Sequence, residues 1–319
     1  MAGQQRGRVL LAGGTGTIGQ ATARALLRDR FKVLGLVRPG RAAALPPGVA
    51  PIEADLAEPL SLRAVGRFDA VISCLASRTG APAEAWAVEH RAQGNLLALA
   101  REAGAAPFVL LSAICVQKPL LEFQKAKLAF ERELRESGVP FAIVRPTAFF
   151  KSLSGQAERV RAGKPFLLFG DGALTACKPI SDDDLARYLV RCLTDESLQG
   201  RILPIGGPGP ALTPRAQGEA LFAAFGVEPR FRHVPVRMMD AIIGGLSLGG
   251  RVSRALADKA EFARIGRYYA TESMLVRDPV TGRYNADATP ETGTETLPDF
   301  YRRLAAGEAA VDLGEHAVF

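Results

Sequence analysis

The sequence predicts an α/β protein: a doubly wound, parallel Rossmann-type sheet with a smaller C-terminal substrate lobe. Three observations predict this class: strands that are apolar throughout, helical patterns between those strands, and a glycine-rich turn directly after the first strand. Fully apolar strands are typical of parallel sheets that helices cover on both faces. Such a fold binds its ligand at the carboxyl ends of the strands.

The order of the elements follows from the alternation of apolar runs and amphipathic stretches. Strands are predicted at residues 9–12, 32–37, 70–74, 108–112, 141–144 and 202–205, with one more ending before Asp55. Helices are predicted at residues 18–28, 86–103, 121–137 and 180–192. Ser181 and the three aspartates behind it suit a helix N-terminus, where the helix dipole favours negative charge. A lobe helix with a glycine break is predicted at residues 238–248.

Composition excludes several classes of protein. The chain has 319 residues, 48% of them hydrophobic and 23% charged, which excludes disorder for most of its length. Four cysteines stand far apart without a C-x-x-C pair, which argues against a disulfide framework or a cysteine-built metal or iron–sulfur site. His90, His233 and His316 show no metal-ligand spacing, so no metal site is predicted.

Targeting signals and net charge bear on location and partners. The N-terminus shows no signal peptide, and no apolar stretch reaches the ~20 residues of a spanning helix, so a cytoplasmic protein is predicted. A net charge of +7 fits nucleic acid, a membrane surface or an anionic small molecule. Because the chain has no basic helix or Lys/Arg run, no nucleic-acid partner is predicted, while loose peripheral membrane contact through residues 238–254 stays open.

A glycine fingerprint follows the first predicted strand and opens the first helix. The turn contains Gly13, Thr15, Gly16, Thr17, Ile18 and Gly19. Gly13 allows the tight turn, Gly16 lets the backbone approach a pyrophosphate, and Gly19 lets the helix pack close to the strand. The free amides and the dipole of the helix N-terminus attract phosphates. The pattern therefore predicts dinucleotide binding.

The end of the second strand selects the cofactor. Arg38 stands nineteen residues after Gly19, where an NAD site carries Asp or Glu for the ribose 2′-hydroxyl and an NADP site carries Arg for the 2′-phosphate. With no carboxylate at this strand end, NADPH is predicted. Asp55 and Leu56, after the third strand, are expected beside the adenine. The end of the fourth strand is expected to pass the nicotinamide ribose with Cys74, Leu75 and Ala76.

These assignments divide the chain into two parts. Residues 1–150 are predicted to form the NADPH-binding Rossmann domain, and residues 180–206 return to it to complete the sheet. Residues 151–179 and 207–319 are predicted to form the substrate-binding lobe, because glycine and proline punctuate the chain after Pro146 and its periodicity weakens.

The glycine spacing resembles that of the short-chain dehydrogenase/reductase superfamily, whose members usually carry a serine and a Tyr-x-x-x-Lys on the following helix. Ser112 fits the serine and Lys127 fits the lysine, but Phe123 occupies the place of the tyrosine. This departure argues against ordinary alcohol/ketone chemistry, because the phenol that protonates a carbonyl oxygen is absent. It resembles the atypical, isoflavone-reductase-like branch, which includes enzymes that reduce C=C bonds.

Reduction of a conjugated C=C bond is consistent with the missing phenol. Hydride addition places charge on carbon and spreads it through the π-system, so no oxyanion forms beside a hydroxyl donor. Lys127 is then the predicted catalytic residue. It is expected to hold the nicotinamide ribose hydroxyls and to supply a positive field near the developing charge.

Longer stretches resemble the divinyl chlorophyllide a 8-vinyl reductase family over nearly the whole chain. They lie at residues 71–80, 108–130, 143–156, 169–180 and 263–275. The resemblance implies an oxidoreductase that uses NADPH to reduce the 8-vinyl group of a 3,8-divinyl chlorophyllide or protochlorophyllide to an ethyl group. That reaction is a step of chlorophyll and bacteriochlorophyll synthesis in photosynthetic organisms. Because no plant-type transit segment is present, the chain resembles a bacterial member.

The substrate is expected between the sheet and the lobe. Pro146 follows the sixth strand and is expected to flank the nicotinamide, while Phe149 and Phe150 either stack on the flat macrocycle or belong to the lobe core. Lys151 is expected to meet a propionate. The remaining candidate substrate residues are Cys115 and Phe123. Two weaker pocket candidates, which fit equally the interpretation of buried lobe aromatics, are Tyr268 and Tyr269.

Several alternatives stay open on the sequence. The proton of the reduction comes from water, Lys127, Cys115 or a group associated with the macrocycle. Two other functions compete: a general C=C or quinone reductase of the isoflavone-reductase-like group, and a non-catalytic NADPH sensor or assembly protein. The oligomeric state, the hydride stereochemistry and the choice between chlorophyllide and protochlorophyllide have no recognisable pattern in the chain.

Overall fold

The computed structural model describes residues 6–58, 62 and 65–310 and contains a central sheet of seven parallel strands. The strands are β1 (Arg8–Ala12), β2 (Lys32–Val37), β3 (Ala50–Glu53), β4 (Ala70–Ser73), β5 (Phe108–Leu111), β6 (Phe141–Pro146) and β8 (Arg201–Ile205). Their order is β3-β2-β1-β4-β5-β6-β8, so the winding reverses between β1 and β4. The predicted doubly wound Rossmann-type sheet is confirmed.

Helices cover both faces of this sheet. They are α1 (Thr17–Arg28), α3 (Gln93–Ala103), α4 (Glu122–Glu136) and α7 (Asp182–Arg191). Leu26 of α1 and Leu189 of α7 are fully buried on one face, and Leu96 of α3 and Phe130 of α4 are buried on the other. Because both faces are covered, the central strands are buried along nearly their whole length, as their sequence predicts.

The register brings the carboxyl ends of neighbouring strands to one edge of the sheet. Ala12 at the end of β1 lies beside Leu36 of β2 and Ser73 of β4. Leu111 of β5 likewise pairs with Val144 of β6. The loops that leave these strands therefore meet at this edge, where an open α/β sheet binds its ligand.

The stretch predicted as one helix at residues 86–103 is divided. α2 (Pro82–Ala85) leads into a π-helical turn (Trp86–Ala92), which continues as α3. A π-helical turn is wider than an α-helical one and occurs frequently at functional sites. Here it carries Glu89 inward, where only 2% of that residue is exposed.

The later part of the chain builds a second core. Its elements are α5 (Phe150–Leu153), α6 (Ala157–Arg161), β7 (Phe166–Phe169), α8 (Pro214–Phe225), β9 (Phe231–Val234), α9 (Val236–Gly249), α10 (Arg254–Thr271), β10 (Val276–Arg277), β11 (Tyr284–Asn285) and α11 (Leu297–Ala305). Phe166, Phe222 and Tyr301 are buried together in this core. α9 confirms a helix over the predicted residues 238–248, but the predicted glycine break is wrong, because the helix continues through Gly244 and Gly245. The division of the chain into two domains stays a prediction. In the described ranges, no helix has the length and apolar character needed to cross a bilayer.

Candidate functional site at the carboxyl edge of the sheet

The turn between β1 and α1 shows what each of its three glycines does. Gly13 has a φ of +77°, and a Cβ there would lie 2.5 Å from the Cys74 carbonyl oxygen. A Cβ on Gly19 would lie 2.0 Å from the Gly13 carbonyl oxygen, so only glycine lets α1 start this close to the strand. A Cβ on Gly16 would meet that same oxygen at 3.5 Å, which is an ordinary contact. The space over Gly16 is therefore open, and this cradle fits a pyrophosphate.

The N-terminus of α1 adds positive potential to the cradle. Gly16 is the N-cap residue, so no N-cap side chain satisfies the amides of the first turn. Lys151, in the first turn of α5, places its Nζ 3.0 Å from Thr17 Oγ1. The sequence predicts that Lys151 meets a propionate. This role stays a prediction, and the structure places the ammonium beside the start of α1, at the end of the cradle.

A buried carboxylate lies near Lys151. Asp182 begins α7, which packs on α1, and burial raises the pKa of Asp182 to about 6 despite the opposing charge of Lys151. Its Oδ1 is buried and has no hydrogen-bond partner within the described ranges. The neighbouring Asp183 lies 3.6 Å from the Arg24 guanidinium of α1. The negative charge of Asp182 is thus disfavoured at the end of the site that would hold phosphates.

The residues after β2 and β3 lie at adjacent strand ends. Arg38 is exposed directly after β2. Asp55 Oδ1 accepts a hydrogen bond from the Ala57 amide at 2.8 Å, as in an Asx-turn. Leu56 packs against the core, and its carbonyl oxygen accepts from Asn95 Nδ2 at 2.6 Å. The structure therefore brings Arg38, Asp55 and Leu56 to the region where the sequence predicts the adenosine half of the cofactor.

The segment after β4 closes over the glycine turn. The Cys74 amide donates to the Ala12 carbonyl oxygen at 2.9 Å, and the Cys74 carbonyl is the group that excludes a side chain at Gly13. Burial raises the pKa of the Cys74 thiol to about 12, so this thiol is an uncharged lining group. Leu75 is half-buried and Ala76 is exposed. These residues line the middle of the edge.

Lys127 lies in a nearly buried ion pair. Its Nζ is 2.7 Å from Glu89 Oε2, and the two side chains are 11% and 2% exposed. The other oxygen, Glu89 Oε1, accepts from the Ser77 amide at 2.8 Å and from Ser77 Oγ at 2.9 Å. The pair therefore ties α4 to the loop that follows β4. The sequence prediction for Lys127 did not include this partner.

Ser112 turns its hydroxyl toward α4. Ser112 Oγ donates to Glu131 Oε1, and Arg145 Nε donates to the same oxygen at 3.1 Å. Glu131 is 2% exposed, and a buried carboxylate without partners is costly. Ser112 is predicted to bind the cofactor, whereas in the structure its hydroxyl satisfies this carboxylate.

Cys115, Phe123 and Tyr268 belong to one apolar cluster between the turn after β5 (Ile114–Gln117), the start of α4 and α10. Cys115 is almost fully buried, and burial raises the pKa of its thiol. Tyr268 Oη donates to the carbonyl oxygens of Cys115 at 2.8 Å and of Lys118 at 3.1 Å. Phe123 is half-buried against the cluster and so keeps some exposed surface.

The two phenylalanines after β6 have different surroundings. Phe150 is 2% exposed, and its ring centroid lies 5.3 Å from that of Phe300 in the lobe core. This is the lobe-core alternative, and it leaves Phe150 no surface for stacking on a macrocycle. Phe149 is half-buried against the core of the sheet, and Pro146 is buried at the end of β6. Of the two rings, Phe149 is the one that retains surface for a ligand.

One charged group of this region was missed by the sequence analysis. Glu89 stands in an alanine-rich helical stretch, where a single acid indicates a solvated helix face, and only the π-helical turn points it inward. Tyr269, a weaker pocket candidate on the sequence, reaches Cys115 from α10, and no local pattern indicates that particular contact. In the part of the chain that the structure describes, no group of three or more His, Cys, Asp or Glu side chains is placed to hold a metal ion.

The described geometry fits a phosphorylated dinucleotide. The cradle over Gly16, the amides at the start of α1 and the Lys151 ammonium all suit a pyrophosphate. A family model described as NAD(P)H-binding matches residues 13–196, more than half of the chain. The matched range includes the glycine turn, Arg38 and Lys127.

Curated relatives extend the match over nearly the whole chain. The chloroplastic divinyl chlorophyllide a 8-vinyl-reductase of Oryza sativa subsp. indica is 49% identical over 331 residues, which cover 98% of this chain and 82% of the rice protein. The protein of the same name from Cucumis sativus is 55% identical over 258 residues, which cover 79% of this chain and 62% of the cucumber protein. These matches confirm the resemblance given by the five sequence stretches.

A solved structure shares the fold at low identity. An NADPH-dependent quinone oxidoreductase of Escherichia coli, solved with NADPH, superposes with a TM-score of 0.68 and 17% identity, covering 93% of this chain and 99% of that chain. This likeness supports the Rossmann-type architecture, and the curated relatives specify the family within it. The chain belongs to the divinyl chlorophyllide a 8-vinyl-reductase family of NAD(P)H-binding proteins.

Proposed function

We infer that this protein uses NADPH to reduce the 8-vinyl group of a 3,8-divinyl chlorophyllide or protochlorophyllide to an ethyl group. The observation that carries the inference is the 49% identity to an 8-vinyl-reductase over 98% of the chain. The site supports it, because it offers a dinucleotide cradle, an arginine at the end of β2 and a phenylalanine where carbonyl reductases carry a tyrosine.

The cofactor, when bound, supplies a hydride to the outer carbon of the vinyl group. The residues that would hold it are Gly13, Thr15, Gly16, Thr17, Ile18 and Gly19 at the pyrophosphate, Arg38, Asp55 and Leu56 at the adenosine, and Cys74, Leu75, Ala76 and Pro146 toward the nicotinamide. Lys151 joins the pyrophosphate set, because its Nζ lies 3.0 Å from Thr17 Oγ1. Ser112, which follows β5, belongs to the same set, and its hydroxyl donates to Glu131.

Lys127 acts at the nicotinamide end together with Glu89. The ion pair fixes the position of the ammonium, because the Glu89 carboxylate is itself held by Ser77. From this position Lys127 stabilises the negative charge that spreads over the macrocycle after hydride transfer. Fixed charges in a site that excludes water act more strongly than mobile ones in solvent.

The substrate side is formed by aromatic rings with exposed surface. A flat macrocycle suits stacking against such rings. Phe123 and Phe149 are both half-buried, so each presents a ring face or edge to a ligand. Cys115 lies behind them as a buried, neutral group, and Phe150 anchors the lobe from inside.

The reaction is tested with the full chain, NADPH and divinyl chlorophyllide, followed by the blue shift of the Soret band and then repeated with divinyl protochlorophyllide. We expect a shift that depends on NADPH. A protein that binds NADPH but changes neither pigment would be a sensor or assembly protein. A protein that reduces quinones but neither pigment would be a general reductase.

We also propose that α9 contacts a membrane surface. No residue of α9 is buried, and Met238, Ile242 and Leu248 on one side of it are 51%, 51% and 65% exposed. Arg237, near the start of α9, and Arg251, just after its end, are exposed. An apolar helix face bordered by arginines suits a bilayer interface with anionic head groups. A cytoplasmic location with loose membrane contact belongs to this proposal, whereas the relatives carry chloroplastic names.

The contact is tested by sedimentation with two kinds of vesicles, phosphatidylcholine alone and phosphatidylcholine with added phosphatidylglycerol. We expect the protein to sediment with the anionic vesicles and the Ile242→Glu, Leu248→Glu double variant to stay in the supernatant. Equal sedimentation of the protein and the variant contradicts the contact. Association of the protein with itself in the absence of vesicles would assign this face to a second copy of the chain.

A further inference from the structure

The reduction needs a proton as well as a hydride, and the residues assigned so far do not provide an accessible donor. Hydride addition to the outer vinyl carbon leaves negative charge on the inner carbon and the macrocycle, so a proton must reach the inner carbon. Phe123 has no proton to give. Lys127 is held by Glu89 at 2.7 Å, and Cys115 is 4% exposed.

Tyr269 brings a second phenol to this region from the lobe. It lies near the end of α10, and its Oη donates to Cys115 Sγ at 3.9 Å. The residue is 40% exposed, so part of its ring borders open space. The adjacent Tyr268 is buried, and its hydroxyl is used by two backbone carbonyls. Tyr268 is thus part of the framework, whereas Tyr269 presents accessible surface.

The surroundings of Tyr269 keep its hydroxyl protonated. Desolvation raises the pKa of Tyr269 well above its usual value, and the negative charge of a Cys115 thiolate, a Tyr268 phenolate or the Glu89 carboxylate would raise it further. The phenol therefore retains its proton at neutral pH, as a proton donor must. Burial raises the pKa of Cys115, while the Lys127 charge lowers it, so the ammonium also acts on this region.

We propose that Tyr269 is the proton donor of the 8-vinyl reduction. A phenol on α10 then supplies a proton in a chain whose superfamily tyrosine position is occupied by Phe123. This rests on the proposed function. The hydride forms a C–H bond at the outer carbon. The O–H bond of Tyr269 breaks as its proton forms a C–H bond at the inner carbon, and the electron pair of the O–H bond stays on the phenolate oxygen. The cofactor would leave in its oxidised form, and a proton taken up from solvent restores the Tyr269 hydroxyl.

Tyr269→Phe tests this role, because it removes one oxygen and keeps the ring. We expect kcat to fall about 100-fold, the usual effect of losing a general acid. The dissociation constants of NADPH and of the 8-ethyl product, both measured by fluorescence quenching, and the thermal midpoint should stay at the values of the unmodified protein. These three readouts do not depend on turnover, so they separate a chemical role from a structural one.

Tyr268→Phe is the matched control. It removes the same atom from the neighbouring ring, but that hydroxyl donates two backbone hydrogen bonds, so we expect a lower thermal midpoint and nearly unchanged kcat. A kcat of Tyr269→Phe close to that of the unmodified protein overturns the proposal. A loss of product affinity that accounts for the loss of turnover also overturns it, because the phenol would then only bind pigment. If the unmodified protein reduces no divinyl pigment, the proposed function fails first, before any variant is made.

Discussion

The glycine turn and the junction between α4, the π-helical turn and α10 are built in opposite ways. The turn is a run of consecutive residues whose glycines are explained by a few neighbouring backbone atoms. The junction is assembled from Glu89, Lys127, Cys115 and Tyr269, and 154 residues separate the last two. The cofactor end of the site is therefore specified by a local pattern, whereas the reacting end depends on packing between distant segments.

The largest effect is expected at Gly19, where the local turn is least tolerant. Gly19→Ala places a Cβ 2.0 Å from the Gly13 carbonyl oxygen, a backbone atom that moves only if β1 moves. We expect the free energy of unfolding to fall by about 3 kcal/mol, the upper range for overpacked sites. Chemical denaturation measures this change.

Gly16→Ala is the control for that variant. Its Cβ makes an ordinary contact at 3.5 Å, so we expect stability to change by less than about 1 kcal/mol. NADPH affinity should nevertheless fall at least about tenfold, because the methyl group occupies the cradle that the pyrophosphate approaches. Equal losses of stability in the two variants would contradict the separate roles of these glycines.

The junction is tested by Lys127→Ala. This change removes the ammonium from the Glu89 carboxylate and from the developing charge, so we expect kcat to fall about 100-fold, or about 2.7 kcal/mol of transition-state stabilisation. Steady-state kinetics and a thermal midpoint measure the two effects. Lys125→Ala, on the exposed side of α4, should leave kcat unchanged. Normal turnover in Lys127→Ala would remove Lys127 from the mechanism.

A smaller effect is expected at the end of β2. Arg38→Ala removes the guanidinium assigned to the 2′-phosphate, so we expect NADPH affinity to fall about tenfold while NADH affinity stays the same. Titration of both cofactors by fluorescence measures the ratio. Tighter binding of NADH than of NADPH by the unmodified protein would show that an arginine at the end of β2 does not select NADPH in this chain.

The smallest effect is expected for the stability change at Asp182, which begins α7 and so lies on the helix that packs against α1. Burial raises the pKa of this carboxyl from 3.8 to about 6, so between those values the folded protein binds more protons than the unfolded chain. Stability therefore falls as pH rises through that window, and the deficit is complete above it. We expect Asp182→Asn to be more stable than the unmodified protein by about 1 kcal/mol at about pH 8. Thermal denaturation below and above this pH window measures the stability difference between the variant and the unmodified protein. If the difference persists at low pH, the raised pKa of Asp182 is not its cause.

Elements with strong local signals were predictable from the sequence. The strand predicted at residues 32–37 is Lys32–Val37, because a continuous apolar run leaves little choice of bounds. The start of α7 was equally clear: Ser181 Oγ accepts from the Asp184 amide at 3.1 Å, as expected for a capping serine. A continuous apolar run marks the strand, and a hydrogen bond between residues three apart marks the helix start, so both features have a local signal in the sequence.

Features that depend on tertiary packing were not predictable. Phe149 and Phe150 are adjacent and chemically identical, and only the position of the lobe decides that Phe150 enters its core. Ser112 fits a superfamily position, yet its hydroxyl donates to Glu131, which also accepts a hydrogen bond from Arg145. Glu89 is one acid on an ordinary helical stretch until the π-helical turn rotates it inward. Phe150, Ser112 and Glu89 each contact a residue far away in sequence, namely Phe300, Glu131 and Lys127, and no local pattern indicates these contacts.

One peptide unit joins two attachments that hold different parts of the molecule. Phe150 is embedded in the lobe, and the next residue, Lys151, touches Thr17 at the start of α1. Consecutive Cα atoms are about 3.8 Å apart. The lobe contact of Phe150 and the Thr17 contact of Lys151 therefore cannot move far from each other. A rotation of the lobe at this point must either carry the Lys151 ammonium with it or break its contact with Thr17. The first turn of α5 thus couples the position of the lobe to the position of the Lys151 ammonium at the start of α1.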